Sequence, residues 1–247
     1  MRIIISPAKK MRSDDDCLEC EGMPVFLEET TRIMEWMKSL DLKEAKALWC
    51  CNDKLAEQNF ARFQNMDLKN RLTPALLSYE GIQYQYMAPT VFEDKMLSYV
   101  QKHLRILSGF YGVLKPMDGV TPYRLEMQAK TKINHVDGLY HFWGDKLYHE
   151  VMDDSHVLIN LASKEYAKCI EPYLQKEDRF ITCIFGELSD GKVIQKGVHV
   201  KMARGEMVRF MAEKNITEPE ELQSFCGLGY CFDEKLSTDT TYIFVTI

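Results

Sequence analysis

The stretch "RILSGFYGVLKPMDGVTPYRLEM", Arg105 to Met127, decides how the rest of the chain is read. Its three glycines, two prolines and three aromatic residues fit neither a long helix nor a simple buried strand. Upstream, Phe92 to Leu107 reads as a helix that ends at Ser108-Gly109. Gly109 and Gly112 permit a tight turn with a close backbone approach by a partner, and Val113-Leu114 opens a second apolar segment. Helix, glycine turn and second segment give a loose outline of a helix-hairpin-helix, whose exposed amides would hold a phosphate. An ordinary helix end followed by a tight turn fits the same spacing.

Further along, Pro122 pushes Thr121 toward extended backbone. If Tyr123 to Met127 is extended, Tyr123, Leu125 and Met127 share one face, and Arg124 and Glu126 share the other. Arg124 then offers a guanidinium to an anion, and Glu126 a carboxylate to a base or a proton. A surface ion pair of little energetic weight is the plainer reading. In "HFWGDK", Trp143 and Asp145 fit either an aromatic platform beside a carboxylate or a core tryptophan beside a helix cap.

The 247 residues, 46% of them hydrophobic, are enough to bury a large core, and one domain over residues 1–247 is expected. A formal charge of -6 argues against a protein that coats nucleic acid with its whole surface. It leaves room for one basic cleft, because charge is uneven along the chain. Residues 13–31 carry seven acids and no Lys or Arg, whereas residues 101–132 and 192–214 each carry six bases against two acids. The apolar run in "MRIIISPAKK" is too short for a secretion signal, and no run of about 18 apolar residues predicts a membrane span. The eight cysteines are therefore expected to be reduced thiols of a cytoplasmic protein with no membrane association. Cys17 and Cys20 make a CxxC, and Cys226 and Cys231 lie five apart, but a structural zinc site needs four well-spaced ligands. No metal or cofactor is expected; iron held by Asp14–Asp16, Cys17 and Cys20 is weaker than a solvated acidic loop.

"RIIIS" and "HVLINLAS" read as buried strands, "RFITCIFGEL" and "KVIQKGVHV" as strands around an Asp190-Gly191 turn, and Met202 to Asn215 as a helix. Strands and helices mix without a regular βαβ rhythm, which predicts a mixed α/β (α+β) fold. Ser6 and Lys9 follow the first strand, and Asn160 and Ser163 end another. If those strands are neighbours, the four side chains share one rim, where such folds often bind ligands. Lys164 sits just beyond that rim on the next helix, and Lys201 and Arg204 surround a helix start that suits phosphate.

The segments "IISPAK", "NDKLAEQNFARF", "HLRILSGFYGVLKPMDGVTPYRLEM", "LYHFWGD", "INLASKEY" and "KMARGEMVRFM" together resemble the YaaA family of bacterial peroxide-stress proteins over nearly the whole chain. The resemblance implies a cytosolic protein of the oxidative-stress response that limits iron- and peroxide-dependent damage. It also implies a basic cleft and a helix-hairpin-helix-like DNA-binding element, mapped here onto Gly109 to Gly112, and it transfers no catalytic residue. The first functional expectation is DNA binding without sequence preference, through Lys9, Gly109, Gly112, Lys115, Arg124, Lys164, Lys201 and Arg204. The second is an enzyme for a nucleotide, nucleobase or other small anion. Its pocket is formed by Ser6, Tyr123, Trp143, Asn160 and Ser163, with Glu126 or Asp145 as acid/base. A deep pocket with Glu126 buried against Arg124 favours the enzyme, and a long shallow groove favours nucleic acid.

Overall fold

Ile3, Ile4 and Ile5 are wholly buried, as in a strand covered on both faces. In the computed structural model, which describes residues 1–14 and 18–246, they belong to the middle of a nine-stranded sheet. Its strands are β1 (Arg2–Ile5), β2 (Leu104–Ser108), β3 (Gly112–Leu114), β4 (Val157–Leu161), β5 (Arg179–Ser189), β6 (Lys192–Ile194), β7 (Cys226–Gly227), β8 (Tyr230–Phe232) and β9 (Thr241–Thr246). The order is β7-β8-β9-β5-β4-β1-β2-β3, with β6 folded back on β5. The five strands from β9 to β2 are parallel, and the edges are antiparallel. From β1 the chain first moves to β2 on one side and later returns to β4 on the other. The carboxyl ends of β1 and β4 therefore flank a point where strand order reverses, the place where open α/β sheets leave a crevice.

The helices used below are α1 (Leu27–Ser39), α2 (Leu42–Trp49), α3 (Asp53–Gln64), α4 (Ile82–Met87), α5 (Asp94–His103), α6 (Leu139–Trp143), α7 (Lys146–Val151), α8 (Lys164–Ala167) and α9 (Gly197–Lys214). The longest, α9, lies across α4 and α5 and touches β5. Its buried Val200, Ala203, Met207, Val208 and Met211 form a stripe of helical period, which is why it starts earlier than the expected Met202. The strand expected at "KVIQKGVHV" is correspondingly cut to Lys192–Ile194.

The decisive correction falls on the opening stretch. The expected helix to Leu107 stops at His103, and Leu104–Ser108 is a strand paired to β1 on one side and β3 on the other. Leu97, Val100, Leu104 and Leu107 keep helical spacing, so local periodicity could not separate the two outcomes. Register did: Ile3 and Ile5 stand beside Leu104 and Ile106, all of them fully buried. Gly109–Gly112 is consequently a turn between β2 and β3, not a helix-hairpin-helix. Two of its amides are already engaged: Ser108 Oγ accepts from the N–H of Phe110 at 3.1 Å and of Tyr111 at 2.8 Å. Gly109 lies against the chain after Pro122, where a Cβ would stand 2.7 Å from Leu125 O.

Asp118, at the end of the loop that follows β3, is buried and accepts from the Lys115 N–H at 2.8 Å. Burial pushes its carboxyl up to about 6, against the opposing pull of that hydrogen bond and of Lys115 and Arg105. The fold favours the neutral acid, so the folded state binds the extra proton between the ordinary carboxylate value and about 6. Its contribution is whole below that window and is lost as pH rises through it. Relative to wild type, Asp118→Asn is expected to gain up to about 3 kcal/mol of stability between about pH 4 and about pH 7.5, at about 1.4 kcal/mol per unit. Urea unfolding at both pH values measures this, and an unchanged difference would contradict the assignment.

Candidate functional site

At the carboxyl ends of β1 and β4 lies a cavity of about 490 Å³. Its walls come from the loop after β1, the start of α4, the segment Tyr123–Glu126, the start of α8 and the α9 side chains Lys201 and Arg204. The two strand ends are tied together by Ser6 Oγ, which accepts from the Ser163 N–H at 2.8 Å and lies 3.2 Å from Ser163 Oγ. Ser6, Lys9 and Ser163 thus share the rim. Asn160 does not: it is buried inside β4, with its side chain donating to Thr182 Oγ1 and accepting from the Ala162 N–H.

Tyr123, Leu125 and Met127 are buried on one side of this segment, and Arg124 and Glu126 alternate with them; all but Met127 line the cavity, as expected of Tyr123. The Arg124 and Glu126 side chains are only 13% and 21% exposed, so this pair is enclosed and not a surface ornament. Glu126 Oε1 receives Lys9 Nζ at 2.8 Å and Arg124 Nη2 at 3.4 Å. Arg204, from α9, also lines the cavity, and burial lowers its guanidinium to about 10. The Nε atoms of Arg124 and Arg204 are both buried and find no partner among the described residues. Lys201 forms no ion pair among the described residues. Five cations (Lys9, Lys10, Arg124, Lys201 and Arg204) thus face three carboxylates (Glu80, Glu126 and Glu165).

Glu165 is the residue that sequence reading missed. It lines the cavity, accepts from the Gln128 N–H at 3.2 Å, and is held above the ordinary carboxylate range by burial and then by the nearby Glu126 charge. Its only signal was an acid in the first turn after the strand end, next to Lys164, which drew attention by its charge. Tyr84 and Tyr166 were also missed; Tyr84 donates to Ser6 O at 3.0 Å and so helps fix the strand-end loop. Behind the cavity, the hydroxyls of Tyr79, Tyr123 and Ser108 form a chain of 2.8 and 2.6 Å contacts. Burial raises the Tyr123 phenol to about 12, so it stays a neutral hydrogen-bonding wall.

The other expected site residues lie elsewhere. Trp143 is core, with its indole N–H donating to Gly109 O at 3.1 Å and its ring against Phe26 and Phe142. Asp145 is exposed, 3.5 Å from His149 Nε2, and does not line the cavity. Lys115 sits in the exposed turn after β3, and Gly109 and Gly112 are in the buried turn before it. Lys164 is exposed beside the rim but does not line the cavity. The iron idea lies largely outside the described residues, since Asp15, Asp16 and Cys17 are among those not described. Among the described residues no group of three metal-ligating side chains is found. The expected free pair Cys226 and Cys231 is instead linked as a disulfide. No helix among the described residues is long and apolar enough to cross a membrane.

A largely parallel sheet with a cation-rich cavity at its point of strand reversal defines the class: a mixed α/β protein with an enclosed, mostly cationic cavity at its strand ends. Within that class the chain belongs to the family described as Peroxide stress protein YaaA, whose profile matches residues 1–236. It is 58% identical to a UPF0246 protein of Agathobacter rectalis, covering 99% of this chain and 98% of that one. Relatives of the same description are 54% identical in Lachnoclostridium phytofermentans (99% and 96% covered) and 53% identical in Pediococcus pentosaceus (99% and 98% covered).

Proposed function

We propose that the part this protein plays in the peroxide-stress response runs through binding of a phosphate-bearing ligand of nucleotide size in the strand-end cavity. The observation that carries this is the convergence of Arg124 and Arg204, each with a buried, unpartnered Nε, on one enclosed space. A buried donor without an acceptor costs about 1–3 kcal/mol, and more when charged, so such a site is incomplete until an anion enters. About 490 Å³ lies within the range of small-molecule pockets. Glu126, ion-paired with Lys9 and Arg124, and Glu165, held above the ordinary carboxylate range by burial, place two carboxylates beside the anion, where one could serve as acid or base.

A second reading is nucleic-acid binding, favoured by the exposed Lys9, Lys10, Lys164 and Lys201 around and beside the mouth. In that reading one backbone phosphate enters the cavity and neighbouring phosphates meet the rim lysines, without sequence preference. Protection from iron-dependent damage would then follow from occupancy of DNA. Calorimetric titration with nucleoside mono-, di- and triphosphates, beside fluorescence anisotropy with single- and double-stranded DNA over a salt series, separates the two. Nucleotide binding displaced by inorganic phosphate supports the cavity reading. DNA binding with a log-log salt slope of about -3 or steeper, and no nucleotide binding, supports the rim reading. Binding of neither overturns both.

A further inference from the structure

At the far edge of the sheet, away from the strand-end cavity, β7 and β8 form a short antiparallel hairpin. Cys226 and Cys231 are register partners in it, with Cα atoms 4.4 Å apart, and their side chains are joined. We propose that Cys226 and Cys231 are a reversible dithiol–disulfide pair that takes up the oxidising equivalents of a hydroperoxide.

Three features carry this. First, the pair is reachable: Cys226 is exposed and Cys231 half-buried, on the outermost strands of the sheet. Cys169 and Cys183, by contrast, are buried, and burial raises both thiols to about 12. Second, the bridge is not what holds the hairpin. The Gly227↔Tyr230 pair and the ladder from β8 to β9 already bring the ends together, and Phe225 anchors the start against Phe185, Phe210 and Phe244. A link across five residues of an already closed loop constrains little additional chain entropy, so making or breaking it leaves the fold standing. Third, the ladder holds the second thiol next to the first, which turns closure into a step within one molecule.

The chemistry balances with the peroxide as the only co-reactant. The Cys226 thiolate attacks one peroxide oxygen, the O–O bond breaks, and the leaving oxygen departs as hydroxide and is protonated to water. Cys226 is then a sulfenic acid. Cys231 attacks its sulfur, the S–O bond breaks, a second water leaves, and the S–S bond forms. Two thiols are oxidised by two electrons and one hydroperoxide is reduced. A small dithiol reverses the change by exchange. The hairpin rests on α9, where Glu206 Cγ lies 3.3 Å from the Cβ position of Gly227, two residues along the helix from Arg204.

The test starts from the reduced full chain, treated with one equivalent of hydrogen peroxide, alkylated and mapped by mass spectrometry. Cys50, an exposed thiol outside any disulfide, is the internal comparison. The Cys226–Cys231 peptide is expected to lose two hydrogens roughly tenfold faster than Cys50 is oxidised, and to recover them in dithiothreitol under native conditions. In Cys231→Ser, a sulfenic acid at Cys226 should be trapped by a dimedone-type reagent, and circular dichroism should match wild type. Oxidation of Cys50 at an equal rate, a bridge that native dithiothreitol cannot open, or no trapped sulfenic acid in a folded Cys231→Ser would each overturn the proposal.

Discussion

Alanine at Gly205 is expected to destabilise the protein by about 3 kcal/mol or more, a large share of an ordinary domain's stability. In isolation the change favours a helix by about 1 kcal/mol, because alanine is the better helix former. The surroundings reverse the sign. A Cβ at Gly205 would stand 2.1 Å from Gln83 O and 2.9 Å from Met87 N, both backbone atoms of α4. Backbone cannot rotate away as a side chain can, so α9 and α4 must separate along the buried face that joins them. That separation also moves Arg204 away from the wall made by Gln83 and Tyr84, so anion binding should fall with stability. Gly197→Ala is the control on the same helix: nothing lies within 4 Å of its Cβ position, and it should be neutral or mildly stabilising. Urea unfolding of both variants decides the matter, and a Gly205→Ala protein as stable as wild type would refute the close helix contact.

Arg204→Met is expected to separate stability from binding. Burial makes the folded state hold this guanidinium at a cost, seen in its lowering to about 10 and in its unpartnered Nε. An apolar side chain of similar length removes that cost, so the unliganded protein should be as stable as wild type or more so, by about 1–3 kcal/mol. Binding of the phosphate ligand should weaken by about 100-fold, because an enclosed charge-assisted contact is lost. Lys201→Met, at an exposed position on the same wall, should cost less than about tenfold. Thermal unfolding with and without inorganic phosphate, followed by calorimetry, reads both quantities. A destabilised Arg204→Met protein that binds as wild type would show that the guanidinium is structural.

Several elements were legible because their cause is local. The β-branched run Ile3–Ile5, closed by Pro7, reads as a buried strand, and extended backbone from Tyr123 to Met127 puts Arg124 and Glu126 together on one face. Ser6 and Ser163 stand at strand ends that sequence alone could mark. Trp143 and Asp145 were ambiguous locally, since a tryptophan and an acid beside a glycine serve a core and a cap as well as a site. Packing against Phe26, Phe142 and Gly109 settled the tryptophan as core.

By itself the sequence predicted a mixed α/β protein, put Arg124 and Glu126 on one face of "PYRLEM" if that segment is extended, and marked the two basic windows that carry Arg124 and Arg204; their enclosure came from the fold. Only tertiary structure decided that residues 104–108 are strand, since their spacing serves a helix equally well and pairing with β1 breaks the tie. It decided that the Gly109–Gly112 turn is buried, because the segment after Pro122 lies across it. Glu165 and Arg204 meet over one cavity because β4 returns beside β1 and because Gly205 lets α9 lie flat on α4. These are contacts between residues far apart in the chain. Side-chain period reports only which face of an element is buried, never which other element buries it.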